Sequence, residues 1–390
     1  MTPALVLTAQ AAELSRAARA WMAQDPDQVT CAELAGLLTR HEAGEPQATA
    51  ALEEAFSGSL RFGTAGLRGR LGAGPHRMNR VTVIRAAAGL CAYLRQTLGE
   101  GFTVVIGYDA RHNSAQFARD TAAVVTGAGG RALLFDGHCP TPVLAFAVRR
   151  LKADAGVMVT ASHNPPQDNG YKVYLGGRVV SGPGQGAQVV PPYDEWISQW
   201  INAVGDVSTV PMPRGGWQSV PGRIRQEYVE RASRAGRMGA CAPLTIVLTS
   251  MHGVGGQMCR QALARAGFTD VVPVAEQELP DPDFPTLAFP NPEEPGAMDL
   301  ALDLARTVGA DLVIANDPDA DRCAAAVPDG HATGGWRQLT GDEVGALLGE
   351  QAAELAAFTG SGVLASSVVS SRLLRRIAQA HGLDYRQTLT

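Results

Sequence analysis

No apolar run in the chain reaches the ~18 residues that a membrane span needs. No basic segment precedes the short apolar stretch at the N-terminus, so a secretory signal is not expected. The six cysteines (Cys31, Cys91, Cys139, Cys241, Cys259 and Cys323) lie far apart and form no CxxC pair, which reads as reduced thiols in a cytoplasmic protein. Basic blocks are missing and the net charge is -5, so nucleic acid is not an expected partner and any phosphate binding must be local. A glycine-rich loop occurs, but no GK[ST] follows it, which excludes a Walker loop. The G-x-S-x-G elbow of serine hydrolases is also absent. What remains is ordinary in bulk. Hydrophobic residues make up 45% and charged residues 18% of 390, enough for two or three globular domains.

The first part, to about Gln47, reads as helical and peripheral: Ala11 to Met22 carries apolar positions at helical spacing, and Asp25-Pro26-Asp27 breaks it. From Arg61 glycine-rich loops give way to alternating strands and helices. Helices are expected at 81–98 and 117–128, strands at 104–108 and 157–160, and a hairpin-like stretch from Tyr171. The Pro/Gly-rich segment Val210 to Gly222 looks like a linker. A second unit follows with strands at 244–248 and 312–315 and helices at 256–266 and 298–308. A third starts near Leu339 with helices at 342–357 and 370–380. This is the pattern of an α/β chain of consecutive domains, with mixed, mostly parallel sheets flanked by helices. The expected division is 1–209, 210–335 and 336–390. The last part ends on what reads as the start of a strand, Tyr385 to Thr390, so it looks cut short.

Two strings carry chemistry. Asp317-Pro318-Asp319-Ala320-Asp321-Arg322 follows the apolar run Leu312 to Ala315. In extended backbone its three alternate carboxylates would share a side, and a cluster of hard oxygen donors suits Mg²⁺ or Ca²⁺. A solvated acidic turn is the plain alternative. An EF-hand is excluded, because the sixth position is Arg322 and the twelfth Pro328. Thr160-Ala161-Ser162-His163-Asn164-Pro165 offers a hydroxyl nucleophile on a polar turn that follows a buried-type strand. If that backbone is extended, His163 points away from Ser162, so a Ser–His couple is not expected. Lys172 sits among apolar and aromatic neighbours, either snorkelling or tuned by burial for proton transfer. The loop Arg61 to Gly69 could present backbone N–H groups to an anion. Asp109 and Arg111 read as an internal pair, and Met251 to Gly256 as a strand-to-helix turn.

Taken together, the strings at 160–165 with Asn169-Gly170-Tyr171-Lys172, at 317–322, at 62–68 and at 108–111 resemble the α-D-phosphohexomutase superfamily, specifically its bacterial phosphoglucomutase/phosphomannomutase branch with an N-terminal helical extension. The resemblance implies that Ser162 carries a phosphoryl group, and that Asp317, Asp319 and Asp321 hold Mg²⁺ together with an oxygen of that phosphoserine. It implies that Arg68, Arg322 and His163 line the transferring phosphate, with Thr64 and Gly66 in the phosphate-binding loop, and that Lys172 is the general acid/base. The implied reaction interconverts glucose 1-phosphate and glucose 6-phosphate through glucose 1,6-bisphosphate, with phosphomannomutase and phosphopentomutase as alternatives. It also implies a sugar-recognition loop and a phosphate clamp, neither of which occurs before Thr390. The chain is therefore expected to accept phosphate at Ser162 and to turn over poorly, since remote binding energy lowers the barrier at the reacting end. A non-catalytic phosphosugar- or metal-binding remnant, or a Mg²⁺-dependent phosphatase, are the readings from other classes. Oligomeric state is not readable.

Overall fold

The computed structural model describes residues 3–235 and 242–389, so Cys241 and the terminal Thr390 lie outside the described residues. In order along the chain stand α1 (Pro3–Gln24), α2 (Gln28–Glu42), α3 (Pro46–Ala55), β1 (Leu67–Arg70), α4 (Arg80–Leu98), β2 (Thr103–Tyr108), α5 (Ser114–Gly127), β3 (Arg131–Leu134) and α6 (Thr141–Arg150). They are followed by β4 (Ala155–Val159), β5 (Asp168–Leu175), β6 (Ala187–Gln188), α7 (Tyr193–Ala203), β7 (Gln218–Ser219) and α8 (Arg223–Ala232). Next come β8 (Ile246–Thr249), α9 (Gly256–Ala266), β9 (Val271–Pro273), α10 (Ala275–Glu278), α11 (Asp299–Val308), β10 (Leu312–Asn316), β11 (Cys323–Pro328) and β12 (Trp336–Gln338). The described chain closes with α12 (Gly341–Thr359), β13 (Val363–Ser367), α13 (Leu373–Ala380) and β14 (Asp384–Thr388). The chain falls into two compact units, Met1–Arg225 with Asp281–Pro285, and Gln226–Pro280 with Thr286–Thr390.

In the first unit the strand order is β1-β5-β4-β2-β3-β7, with β6 on β5. Strands β4, β2, β3 and β7 run parallel, while β5 is antiparallel to β4 and β1 to β5. Every residue of β4 is buried, as a strand covered on both faces must be. The segment expected to be a linker, Val210 to Gly222, contributes β7 to this sheet. Its pairing is too short to leave a period-2 signal in the sequence.

The N-terminal helices are not peripheral. Ala18, Trp21, Leu34, Leu38 and Leu52 are buried in one cluster with Leu67, Met78, Val159 and Tyr171. Sequence periodicity finds an apolar face but cannot say what that face meets. Asp27 caps α2 by accepting from the Val29 N–H at 2.9 Å, which explains the sharp break after Gln24.

The second unit holds a sheet of order β12-β11-β10-β8-β9. Strands β9, β8 and β10 are parallel, and β11 turns back antiparallel on β10. α11 packs on β8 and β10. A two-stranded parallel sheet, β13-β14, lies with α12 and α13 in the same unit. The two larger sheets are mixed and helix-flanked, as the alternating pattern predicts.

Candidate active site

In the first unit the serine string begins where β4 ends. The Thr160 N–H still reaches the Gly170 carbonyl of β5 at 3.1 Å, so pairing holds to that point. The chain then turns at Ser162, whose φ of 54° is left-handed. A non-glycine residue there carries strain of about 1–3 kcal/mol, which persists only where its surroundings enforce it. Two hydrogen bonds do so. The Ser162 N–H donates to Thr160 Oγ1 at 2.9 Å, and the Asn164 N–H to the Ala161 carbonyl at 3.1 Å. The serine is 1% exposed, and its Oγ lies 3.2 Å from His163 Nδ1. The Ser–His couple that an extended backbone would forbid is present, because the backbone is not extended.

The loop is held from beneath by Arg111, a residue read from sequence only as half of an internal pair. The pair exists: Arg111 Nε stands 3.5 Å from Asp109 Oδ2, with both side chains 1% exposed. The guanidinium does more. Nη1 donates to the carbonyls of Pro165 (2.7 Å) and Asp168 (3.0 Å), and Nη2 to those of Ser162 (2.7 Å) and Asn164. A planar fork with five donors is the side chain suited to gathering several carbonyls. Asp109 accepts from Ser114 Oγ at 2.6 Å and from the Arg111 N–H at 3.0 Å. Burial pushes its carboxyl above the usual range, against the opposing pull of Arg111 and these hydrogen bonds. Asn169 completes the support, donating to Ser114 Oγ at 2.9 Å and to the His112 carbonyl at 2.8 Å. The tyrosine-aspartate-x-arginine spacing at 108–111 was the available signal for this role, but which carbonyls Arg111 would meet was not in it.

Arg68 and Lys172 reach the same end of the sheet by register. Arg68 stands opposite Gly170, and Lys172 two residues further along β5 stands opposite Met158. Opposed residues and alternate residues share a face, so Arg68 and Lys172 flank Gly170 on one side of the sheet. A Cβ on Gly170 would fall 3.1 Å from Arg68 Cγ and 2.5 Å from the Thr160 carbonyl oxygen. Lys172 is 1% exposed, more deeply set than its sequence context suggested. The buried Nε of Arg68 has no hydrogen-bond partner.

Thr64 is exposed at the tip of the glycine loop, and its carbonyl accepts from Gln188 Nε2 at 2.6 Å. Gly66 is buried with φ 75°, and its N–H donates to the Gly63 carbonyl at 2.8 Å. A Cβ there would lie 2.2 Å from the Tyr171 carbonyl oxygen. The glycine lets the loop press against β5 beside Lys172.

In the second unit the carboxylate string links β10 to β11, with Asn316 facing Cys323 as the closing pair. It is a turn and not an extended run: Ala320 has φ 56°, and its N–H donates to the Asp317 carbonyl at 2.9 Å. The three carboxylates nevertheless converge, with an oxygen of each within 4.8 Å of the others. Asp317 and Asp319 are fully buried and Asp321 is exposed. Hard oxygen donors gathered at one point suit Mg²⁺, and two buried like charges side by side are costly without a cation. The Arg322 N–H donates to Asp317 Oδ1 at 2.9 Å, while its side chain is 39% exposed and 4.0 Å from Glu293.

Met251 to Gly256, read as a plain strand-to-helix turn, is the floor under this loop. The Val254 N–H donates to the Pro318 carbonyl at 2.8 Å, and a Cβ on Gly253 would stand 2.4 Å from Pro318 Cα. His252 is buried, with Nε2 2.8 Å from Thr286 Oγ1. The structure thus brings Ser162, His163, Arg68 and Lys172 to one strand end of the first unit, and gathers Asp317, Asp319 and Asp321 beside Arg322 in the second. Ser162, the fourth metal ligand implied by the resemblance, belongs to the first unit.

Residues 59–203 match the family described as phosphoglucomutase/phosphomannomutase, alpha/beta/alpha domain I, and residues 226–330 match its domain II. The chain is 45% identical over 315 residues to a Haemophilus influenzae protein named "Probable phosphomannomutase", covering 80% of this chain and 63% of that protein. It is 37% identical over 402 residues to the phosphoribomutase of Saccharomyces cerevisiae, covering 95% of this chain and 62% of that enzyme. The chain thus spans less than two thirds of the length of these relatives. A crystal structure of a phosphoglucomutase/phosphomannomutase family protein from Burkholderia thailandensis superposes with a TM-score of 0.67 at 21% identity, over 85% of this chain and 66% of that one, which shows a shared fold.

Proposed function

The chain belongs to the phosphoglucomutase/phosphomannomutase family, and on that premise we propose that it carries a phosphoryl group on Ser162 and exchanges it with a hexose monophosphate, interconverting the 1- and 6-phosphates of glucose. The observation that supports this most directly is the strained, buried serine with His163 Nδ1 3.2 Å from its Oγ, on a loop whose carbonyls are gathered by one guanidinium. In the forward half, the P–O bond to Ser162 breaks and a P–O bond to the sugar hydroxyl forms. The hydroxyl proton passes to a base, for which Lys172 is the candidate, and the product is glucose 1,6-bisphosphate. In the return half the phosphate at the other position goes back to Ser162. His163 and Arg68 offset charge on the phosphoryl oxygens, the main demand of such a transfer. Mg²⁺ held by Asp317, Asp319 and Asp321 would supply further charge neutralisation when bound.

A second reading, a pentose phosphate substrate, is favoured by the identity to the yeast protein named phosphoribomutase. The proposed setting is cytoplasmic, in carbohydrate metabolism.

The test is the intact mass of the chain after exposure to glucose 1,6-bisphosphate and Mg²⁺, followed by peptide mapping. One added phosphoryl group on Ser162, absent in Ser162→Ala, is expected. A wild-type chain that folds and takes up no phosphoryl group would overturn the reading. Offering glucose, mannose and ribose monophosphates to the phosphorylated chain then ranks the acceptors by the rate at which the group is lost from Ser162.

A further inference from the structure

The Asp281–Pro285 segment belongs to the first compact unit, although the chain on either side of it belongs to the second. Its sequence, Asp281-Pro282-Asp283-Phe284-Pro285, is a tight turn. The Asp283 N–H donates to Asp281 Oδ1 at 2.9 Å and the Phe284 N–H to the Asp281 carbonyl at 3.3 Å. Phe284 has φ 46°. For a bulky residue that is a strained conformation, and such strain survives only when something outside the turn requires it. Phe284 is 2% exposed, and the Arg111 guanidinium carbon lies 4.9 Å from its ring centroid. The ring therefore covers the very group that gathers the carbonyls of Ser162, Asn164, Pro165 and Asp168. One residue from Arg111, His112 Nε2 meets Asp283 Oδ1 at 2.7 Å and ties the turn at its outer edge.

A ring face over a cation attracts it and restricts its plane. Arg111 has to keep one plane to reach four carbonyls at once, and the loop it reaches holds a strained serine. We propose that Phe284 is a positioning residue for phosphoryl transfer at Ser162, acting through Arg111 on the orientation of the serine loop. The proposal rests on the functional reading above only for its rate arm. A filler of the hydrophobic core would need apolar volume alone, whereas this role needs an aromatic face.

The experiment compares the full chain with Phe284→Leu, which removes the aromatic face, and Phe284→Tyr, which keeps it. Two readouts are taken: amide hydrogen exchange over 160–169 with β2 as internal reference, and the rate of Ser162 phosphorylation by glucose 1,6-bisphosphate with Mg²⁺. In Phe284→Leu, exchange over 160–169 is expected to rise about tenfold with β2 unchanged. The maximal phosphorylation rate should fall by about threefold to thirtyfold, the rate equivalent of a partly to fully desolvated cation–π contact. Half-saturation should move little, and Phe284→Tyr should restore both readouts. Asp283→Ala, an exposed change that spares the ring, should shift both in the same direction by less. Equal behaviour of the Leu and Tyr variants, or faster exchange spread evenly into β2, would overturn the proposal. If the wild-type chain takes no phosphoryl group, the functional reading fails, and the exchange arm alone decides whether Phe284 orders the loop.

Discussion

Replacing Arg111 by Met isolates the staple under the serine loop. The side chain is 1% exposed, so Met fills similar space with no charge. Two losses follow. The Asp109 carboxylate, also 1% exposed, is left buried without its cation, a change that typically costs about 3–5 kcal/mol. The carbonyls of Ser162, Asn164, Pro165 and Asp168 lose a charged donor. Water can replace part of that loss, because the Asn164 to Asp168 stretch is only partly buried. A loss of about 4 kcal/mol is expected, a large share of the ~5–15 kcal/mol of a typical domain. It has a sign in pH. The Asp109 carboxyl already lies above its ordinary 3.8 in the folded state, so the fold binds more protons than the unfolded chain. The stability this group contributes is therefore present below 3.8 and lost as pH rises through the raised folded value. Removing Arg111 takes away an influence that lowers the Asp109 pKa, which raises it further and extends the decline to higher pH. The deficit of Arg111→Met against wild type should be larger at pH 8 than at pH 5. Urea unfolding at both pH values measures it, with hydrogen exchange of β2 and β4 assigning the transition to the first unit, since two compact units need not unfold together. Adding Asp109→Asn should recover more than about 1 kcal/mol, because a neutral pair no longer buries a lone charge. A deficit under about 1 kcal/mol, or no recovery in the double variant, would show that Arg111 does not offset a buried charge on Asp109.

Gly66→Ala puts a Cβ 2.2 Å from the Tyr171 carbonyl oxygen at φ 75°, so the loop must lift off β5. The expected results are a loss of about 2–4 kcal/mol in urea unfolding and slower Ser162 phosphorylation. An unchanged unfolding midpoint would show that the contact is soft. Gly253→Ala meets Pro318 Cα at 2.4 Å and should displace the carboxylate loop, lowering Mg²⁺ affinity in calorimetry by tenfold or more, on the order of an outer-shell change. Asp154 is held below its ordinary 3.8: burial is the largest single influence and pushes it up, but Arg178 and the Thr103 and Arg178 N–H groups together outweigh it. Its stabilisation is present above pH 3.8 and lost as pH falls through the depressed value. Asp154→Asn should therefore be less stable than wild type at pH 7, with the gap closing towards pH 3 in urea unfolding.

Much of the fold was legible because its periodic segments are long. The expected helix 256–266 coincides with α9, and 81–98 differs from α4 by one residue. Strand β3, helix α6 and strand β7 were not anticipated, since short elements leave little periodicity to detect. In the candidate site, residue types at fixed spacing pointed to Ser162, the three aspartates and Lys172 as candidates, and the resemblance added Arg68. The carboxylate string reads as extended and the serine string as a polar turn, and both are turns with a left-handed residue, Ser162 and Ala320. Neither residue is a glycine, so composition gave no warning.

The alternation of the longer strands and helices, the family, and the chemical types at 160–172 and 317–322 are legible in the chain alone, because local periodicity and residue spacing need no partner. The tertiary structure decided which carbonyls Arg111 gathers, that His163 faces Ser162, that the N-terminal helices share the core of the first sheet, and that Phe284 covers Arg111. Those facts depend on backbone turns set by contacts distant in sequence, and no local pattern encodes where a distant carbonyl or ring will arrive.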